Sequence, residues 1–235
     1  MKIDFVTLFP EMVLPATEHS ILARASRAGV VSFGAQNPRD FAQDKHRTVD
    51  DSPYGGGPGM VMMAPLIESA LSACQPLPNA AIILTDPMGE KYTQAHARDL
   101  TRFDHLILIC GHYEGVDERV RTQLATHCFT IGDYILTGGE LPSLIIADSV
   151  VRLLPGVLGD PESHQDDSHS DGLLGFPLYT RPLEFRGEAV PDVLSSGNHA
   201  AIAKWRRTQQ LRRTKSHRPD LFSRAHLQPG DSDLL

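Results

Sequence analysis

The sequence predicts an α/β fold built on a mainly parallel sheet, followed by a smaller helical C-terminal domain. Two observations predict it. Short apolar runs without polar alternation, such as A-A-I-I-L-T (Ala80–Thr85) and L-I-L-I-C (Leu106–Cys110), read as strands buried on both faces and alternate with helical patterns. That alternation stops near Pro155, where an acidic stretch rich in Gly and Pro gives way to a basic helical segment. The implied division is a sheet domain over 1–158, an acidic linker over 159–175 and a helical domain over 176–235.

In chain order, Ile3–Phe9 reads as a first strand ended by Pro10, and Glu11–Ala28 as one helix with Gly29 as its C-cap. Val30–Phe33 reads as a second strand. Asn37–Met60 is polar, turn-rich and too long for an ordinary connection, the length at which loops tend to be functional. Its G-G-G-P-G lacks the Gly-Lys-Ser/Thr ending of a phosphate loop, which weakens a nucleotide-hydrolase reading. Pro65–Ala73 and Thr93–Thr101 read as helices, with a turn over Asp86–Gly89 between them. Glu114–Thr126 reads as a helix, Phe129–Leu136 as strand-like, and Glu140–Leu153 as a helix with an apolar face. Asn198–Thr214 is a helix N-capped by Asn198, and the polar tail from Pro219 reads as prone to fray.

Composition bounds the function. The chain has 235 residues, 41% hydrophobic and 22% charged, and no apolar run approaches the roughly 20 residues that span a bilayer. The N-terminus reads as a strand and not as a signal peptide. Cys74, Cys110 and Cys128 lie far apart in apolar settings without a C-x-x-C pair, which points away from a disulfide framework or zinc site and toward a reducing cytoplasm. The net charge of -7 argues against nucleic acid, but its distribution does not: Lys204–Arg218 holds seven Lys or Arg and no acid. Such a cluster is either a phosphate-binding footprint or a solvated helix face.

Three glycine-punctuated loops follow or interrupt apolar strands: Thr85–Gly89, Gly111–Gly115 and Ile131–Gly139. In parallel sheets ligands sit beyond the carboxyl ends of strands, and glycine there permits close backbone approach. The three loops read either as a ligand site built from main chain or as tight turns in a core.

Six segments carry a resemblance. H-R-T-V-D-D-S-P-Y-G-G-G-P-G-M (His46–Met60), C-G-H-Y-E-G-V-D-E-R-V (Cys110–Val120), I-G-D-Y-I-L-T-G-G-E-L-P (Ile131–Pro142), P-G-V-L-G (Pro155–Gly159), Y-T-R-P (Tyr179–Pro182) and S-G-N-H (Ser196–His199) stand in register with bacterial tRNA (guanine-37-N1)-methyltransferases. The chain resembles that family over most of its length. The resemblance implies a SPOUT-class fold with a deep trefoil knot, a homodimer with composite active sites, S-adenosylmethionine held at the knot, a tRNA-gripping C-terminal domain and dependence on Mg2+ at a site the sequence does not locate.

Residue by residue, the resemblance places the donor against Thr85, Pro87, Gly111, Tyr113, Gly115, Ile131, Gly132, Asp133, Tyr134, Ile135, Leu136, Gly138 and Gly139. It makes Asp167 the base that removes the guanine N1 proton, with Asp166 beside it as an ambiguity that the following Ser168 decides toward Asp167. Arg152 is implied as the cation at guanine O6, a role open to Mg2+ as well. Glu114 is read as approaching the donor amine or the guanine, or as a helix-start acid. His46, Arg47, Glu114, Ser168, Arg181, Arg206 and Arg207 are implied on the tRNA side.

Overall fold

The computed structural model describes residues 1–158 and 167–235. The chain divides into two compact units, 1–159 and 160–235.

The first unit is organised on β1 (Lys2–Val6), β2 (Ser32–Gln36), β5 (Ala80–Lys91), β6 (His105–Cys110) and β7 (His127–Thr130), in the order β2-β1-β6-β5-β7 and parallel throughout. β6 is buried at every residue, as its unbroken apolar run requires. The helices α1 (Pro10–Thr17), α2 (Ser20–Arg27), α3 (Ala64–Ala73), α4 (Gln94–Leu100) and α5 (Glu140–Val151) complete the layers. Ile3, Phe5, Ile83, Leu106 and Leu108 build one core with Ile146 and Val150 of α5; Val6, Leu84, Ile107 and Ile109 build the other with Ile67 and Leu71 of α3. A two-stranded ribbon, β3 (Asp50–Asp51) with β4 (Val61–Met62), brackets the glycine-rich part of the long loop.

Several elements differ from expectation. The helix expected over 11–28 is two, α1 and α2, with Ser20 at φ 50 in the corner between them; Gly29, at φ 71, closes the second. The turn expected at Asp86–Gly89 is an irregularity inside β5, which resumes pairing at Glu90 and Lys91. The helix expected over 114–126 is helical only over 118–124, with a π-helical turn at Val120–Leu124, because the main chain at 114–117 is bonded to Met60 and Met62. β7 ends at Thr130, and 131–136 is not strand.

The second unit holds a hairpin of β8 (Glu184–Phe185) and β9 (Glu188–Ala189), then α6 (Asp192–Ser195), α7 (His199–His217) and α8 (Pro219–Phe222). Asn198 accepts a hydrogen bond from the Ala201 N–H, the expected N-cap. Two expectations are corrected here. Residues 167–175, taken as linker, pack within this unit, with Leu173 buried. The tail is not solvated throughout: Asp231 is 3% exposed and ion-paired. Residues 159–166, including Asp166, lie outside the described residues.

At the amino ends of β1 and β6, Asp4 accepts from Lys2 Nζ (2.8 Å) and from His105 Nε2 (2.9 Å), with both Asp4 and His105 buried. The Leu77 N–H points at His105 Nδ1 (3.4 Å), which fits a neutral imidazole that donates from Nε2. Burial holds the His105 pKa below its ordinary value, outweighing the Asp4 carboxylate. His127 is shifted in the same direction, first by burial and then by His96. The unfolded chain therefore binds protons that the folded chain refuses, and stability is lost as pH falls below about 6.5. We expect the urea midpoint to drop between pH 7.5 and pH 5.5, and to drop less in His105→Gln. Equal drops in the two proteins would show that His105 is not held neutral.

Candidate active site

β6, β5 and β7 lie side by side; β6 and β7 lead at their carboxyl ends into the Gly111–Gly115 and Ile131–Gly139 loops, and the Thr85–Gly89 loop interrupts β5. The third loop turns back onto the second. The Gly139 N–H donates to Gly111 O (2.8 Å), and His112 bridges Gly138. The buried Thr85 hydroxyl lies within hydrogen-bond reach of two carbonyls, Ile109 O (3.1 Å) and Gly139 O (3.3 Å). Gly139 has no room for a side chain: a Cβ there would sit 2.2 Å from Thr85 Oγ1 and 2.7 Å from Cys110 Cα. Directly after it, α5 begins with Glu140, 2% exposed, whose Oε1 accepts from the Thr7 hydroxyl (2.8 Å). The second loop is also fixed from outside, since the Glu114 N–H donates to Met60 O and the Met62 N–H to Gly115 O, both at 3.0 Å.

These loops enclose a cavity of about 370 Å³ lined by Thr85, Asp86, Pro87, Gly111, His112, Tyr113, Glu114, Gly115, Phe129, Thr130, Ile131, Tyr134, Ile135, Leu136, Thr137, Gly138, Gly139 and Pro142. The size suits a small organic ligand. Its walls are apolar rings and main chain, and among the described residues its acidic side chains are Asp86 and Glu114. Among the described residues no Lys or Arg lines it, so a ligand carrying positive charge meets no cationic side chain. Cys110, beneath it, has its thiol pKa pushed up by burial and is a core residue, not a nucleophile.

The chain matches the family model described as tRNA (guanine-1)-methyltransferase TrmD over residues 1–224. It is 51% identical over 235 residues to the tRNA (guanine-N(1)-)-methyltransferase of Staphylococcus aureus, and equally so to that of Staphylococcus haemolyticus. It is 54% identical to the enzyme of the same name from Dehalococcoides mccartyi. All of this chain and 96% of each relative are covered. The chain belongs to the tRNA (guanine-1)-methyltransferase family.

Membership carries the SPOUT class of fold and implies S-adenosylmethionine as methyl donor. The cavity fits such a group: close-packed glycine backbone forms one wall, and His112 Nδ1 is a buried nitrogen without a hydrogen-bond partner among the described residues. Among the described residues, no group of three or more His, Cys, Asp or Glu stands together as a metal site.

The fold gathers the residues expected at the donor into this one cavity, with two exceptions. Gly132 and Asp133 do not line it. Gly132 belongs to a turn held by the Thr130 hydroxyl, and Asp133 is exposed, 3.9 Å from Lys91. His112, Phe129, Thr130, Thr137 and Pro142 line it without having been singled out. His112, Thr137 and Pro142 stand inside the quoted motifs, so their neighbours were the available signal.

The other family positions are distributed. Arg152 caps α5, half-buried, its N–H donating to Asp148 O. Asp167 opens a turn in the second unit in which its carbonyl accepts from the Ser170 N–H, and Ser168 Oγ accepts from the Gly175 N–H (2.8 Å). His46 and Arg47 are exposed on a turn built around Asp44, and Arg47 pairs with Asp40. Arg181 is exposed. Arg206 stacks on Phe176 at 4.7 Å, whereas Arg207 is engaged by Asp171 and Asp231. Among the described residues, no helix is long and apolar enough to cross a membrane.

Gly139→Ala should test the closure of the third loop on the second. The atoms it meets are largely backbone and cannot swing away, so a destabilisation of about 1–3 kcal/mol is expected, read as a lower urea midpoint. An unchanged midpoint would show that the Gly111–Gly139 contact yields freely.

Proposed function

We propose that this protein transfers the methyl group of S-adenosylmethionine to N1 of guanine 37 of tRNA, next to the anticodon. The observation that carries this is the glycine-walled cavity at the carboxyl ends of β5, β6 and β7, in a chain of the tRNA (guanine-1)-methyltransferase family. On this reading the chain is threaded at these loops as a trefoil knot. It acts as a homodimer with composite sites. Large apolar side chains left exposed beside the cavity support a covering partner: Ile135 is 78% exposed, Leu141 54% and Ile145 47%.

The bound donor supplies an electrophilic methyl on a sulfonium. The protein has three tasks: to align the guanine, to take its N1 proton, and to stabilise negative charge developing on O6. Main-chain groups of 111–115 and 131–139 orient the donor, and Asp86 and Glu114 favour its positive charge. Asp167 takes the proton. The Arg152 guanidinium at O6 assists by stabilising the negative charge left on the guanine as N1 loses its proton. A Mg2+ ion, where required, would supply further stabilisation of the charge developing on O6.

The tRNA backbone is gripped by exposed cations. His46, Arg47, Arg181, Arg206, Arg212 and Arg213 serve as phosphate contacts, and Ser168 is assigned to the tRNA side next to the base. Arg207 is omitted because its guanidinium is occupied by Asp171 and Asp231.

Methylation of tRNA transcripts with guanine or adenine at position 37, with and without Mg2+, tests the acceptor; transfer to both bases would overturn the assignment. Asp167→Ala should retain donor binding by calorimetry and lose methyl transfer, and a variant that kept half the wild-type rate would remove Asp167 from the role of base. The combined Arg206→Ala, Arg212→Ala and Arg213→Ala variant should raise the tRNA KM and flatten its salt dependence. An unchanged salt slope would mean that this face of α7 is merely solvated.

A further inference from the structure

The turn that carries Asp167 is held by α7 and the C-terminal tail. Leu173 is buried, the Leu174 N–H donates to Thr214 Oγ1 (2.9 Å), and Thr214 is itself buried and bonded to Gln210 O. Within the turn, the His169 N–H donates to Leu173 O (2.7 Å), and Asp171 accepts from the Leu173 N–H (3.1 Å). The remaining Asp171 oxygen accepts from Arg207 Nη1 (2.8 Å). The opposite edge of the same guanidinium is taken by Asp231, through Nε (2.9 Å) and Nη2 (2.6 Å).

The two carboxylates stand in different settings. Asp231 is 4% exposed at its side chain and also accepts from the Gln228 N–H, whereas Asp171 is 44% exposed. A two-point Arg–carboxylate pair fixes the plane of the guanidinium as well as its position. Asp231 thus leaves Arg207 with one N–H directed at Asp171, and the long side chain has little rotamer freedom left to lose in holding the turn.

We propose that Arg207 is a positioning residue for Asp167: locked by the tail carboxylate Asp231, it holds Asp171 and with it the 167–175 turn in one arrangement. This rests on the reading of Asp167 as the base. A base displaced by about an ångström loses much of its rate, whereas binding of tRNA through other cations is untouched. The clamp therefore acts on the chemical step, and it gives the C-terminal tail a role in methyl transfer without any contact with tRNA.

The test uses the full-length protein with Asp171→Asn, Arg207→Lys and Asp231→Asn, under single-turnover conditions at saturating tRNA and S-adenosylmethionine. Asp171→Asn and Arg207→Lys should slow methyl transfer about ten- to a hundredfold with the tRNA Kd within twofold of wild type, and Asp171→Glu should recover part of the loss. Amide exchange in 167–175 should quicken in Asp171→Asn, while α7 keeps its protection. Asp231 is buried, so if Asp231→Asn fails to fold, the partly exposed Asp171 decides alone. A raised tRNA Kd with an unchanged transfer rate would overturn the proposal in favour of a phosphate contact, as would unchanged exchange in the turn. Asp167→Asn is measured alongside. If it stays active, the reading of Asp167 fails and the clamp's catalytic role with it. If it is inactive while Asp171→Asn transfers at the wild-type rate, only the clamp fails.

Discussion

The site depends on one close approach. The backbone at Gly139 lies against Cys110 and Gly111 so tightly that the Thr85 hydroxyl, the Cys110 Cα and the Gly111 nitrogen occupy the space a side chain would need. This contact ties the end of β6 and the middle of β5 to the loop that follows β7, and fixes where α5 starts. A loop following an edge strand would ordinarily run out into solvent; here it is drawn back over the sheet and becomes the cavity wall. Glu140 is buried as a consequence, and Thr7 at the end of β1 provides its hydrogen bond. The ligand wall and the first turn of α5 are therefore one construction, and neither can be altered without the other.

The second unit answers a different constraint. Its central helix carries many cations and few buried apolar residues; only Leu211 and Thr214 of α7 are buried. With so little apolar area, hydrophobic burial alone holds it weakly. Asp171 and Asp231 add ion pairs to one residue of α7, Arg207. Arg206 and Arg207 illustrate the division: neighbours in sequence, one stacks exposed on Phe176 and the other is sequestered between two carboxylates. An acidic chain can thus present a basic surface, because part of its acid is spent internally on orienting the helix that bears the cations.

Strands β5 and β6 were legible because a segment buried on both faces has to be apolar throughout, and that requirement is local. The N-cap at Asn198 and the C-terminal glycine at Gly29 were legible for the same reason, since each satisfies backbone groups within a few residues. Glu114–Thr126 was not. Its composition suits a helix, but the main chain at 114–117 is bonded to residues some fifty positions earlier in the chain, and no local pattern announces such a partner. Likewise 131–136 is apolar enough for a strand, yet β7 sits at the sheet edge and the chain turns back toward Gly111. The polar tail reads as solvated until Asp231 meets Arg207 across twenty-four positions.

By itself, then, the sequence determined the α/β class, the parallel sheet, the three glycine loops and the family to which their motifs belong. It did so because burial, capping and turn chemistry act over short stretches, and because six motifs in register are too specific for composition to imitate. Only the tertiary structure decided which glycines face one another, that Gly132 and Asp133 stand aside while His112 and Pro142 line the cavity, and that Arg207 is paired with Asp171 and Asp231 and is not a free cation. Those outcomes depend on partners far apart in the chain, whose meeting is fixed by the order of strands and by what has room to pack.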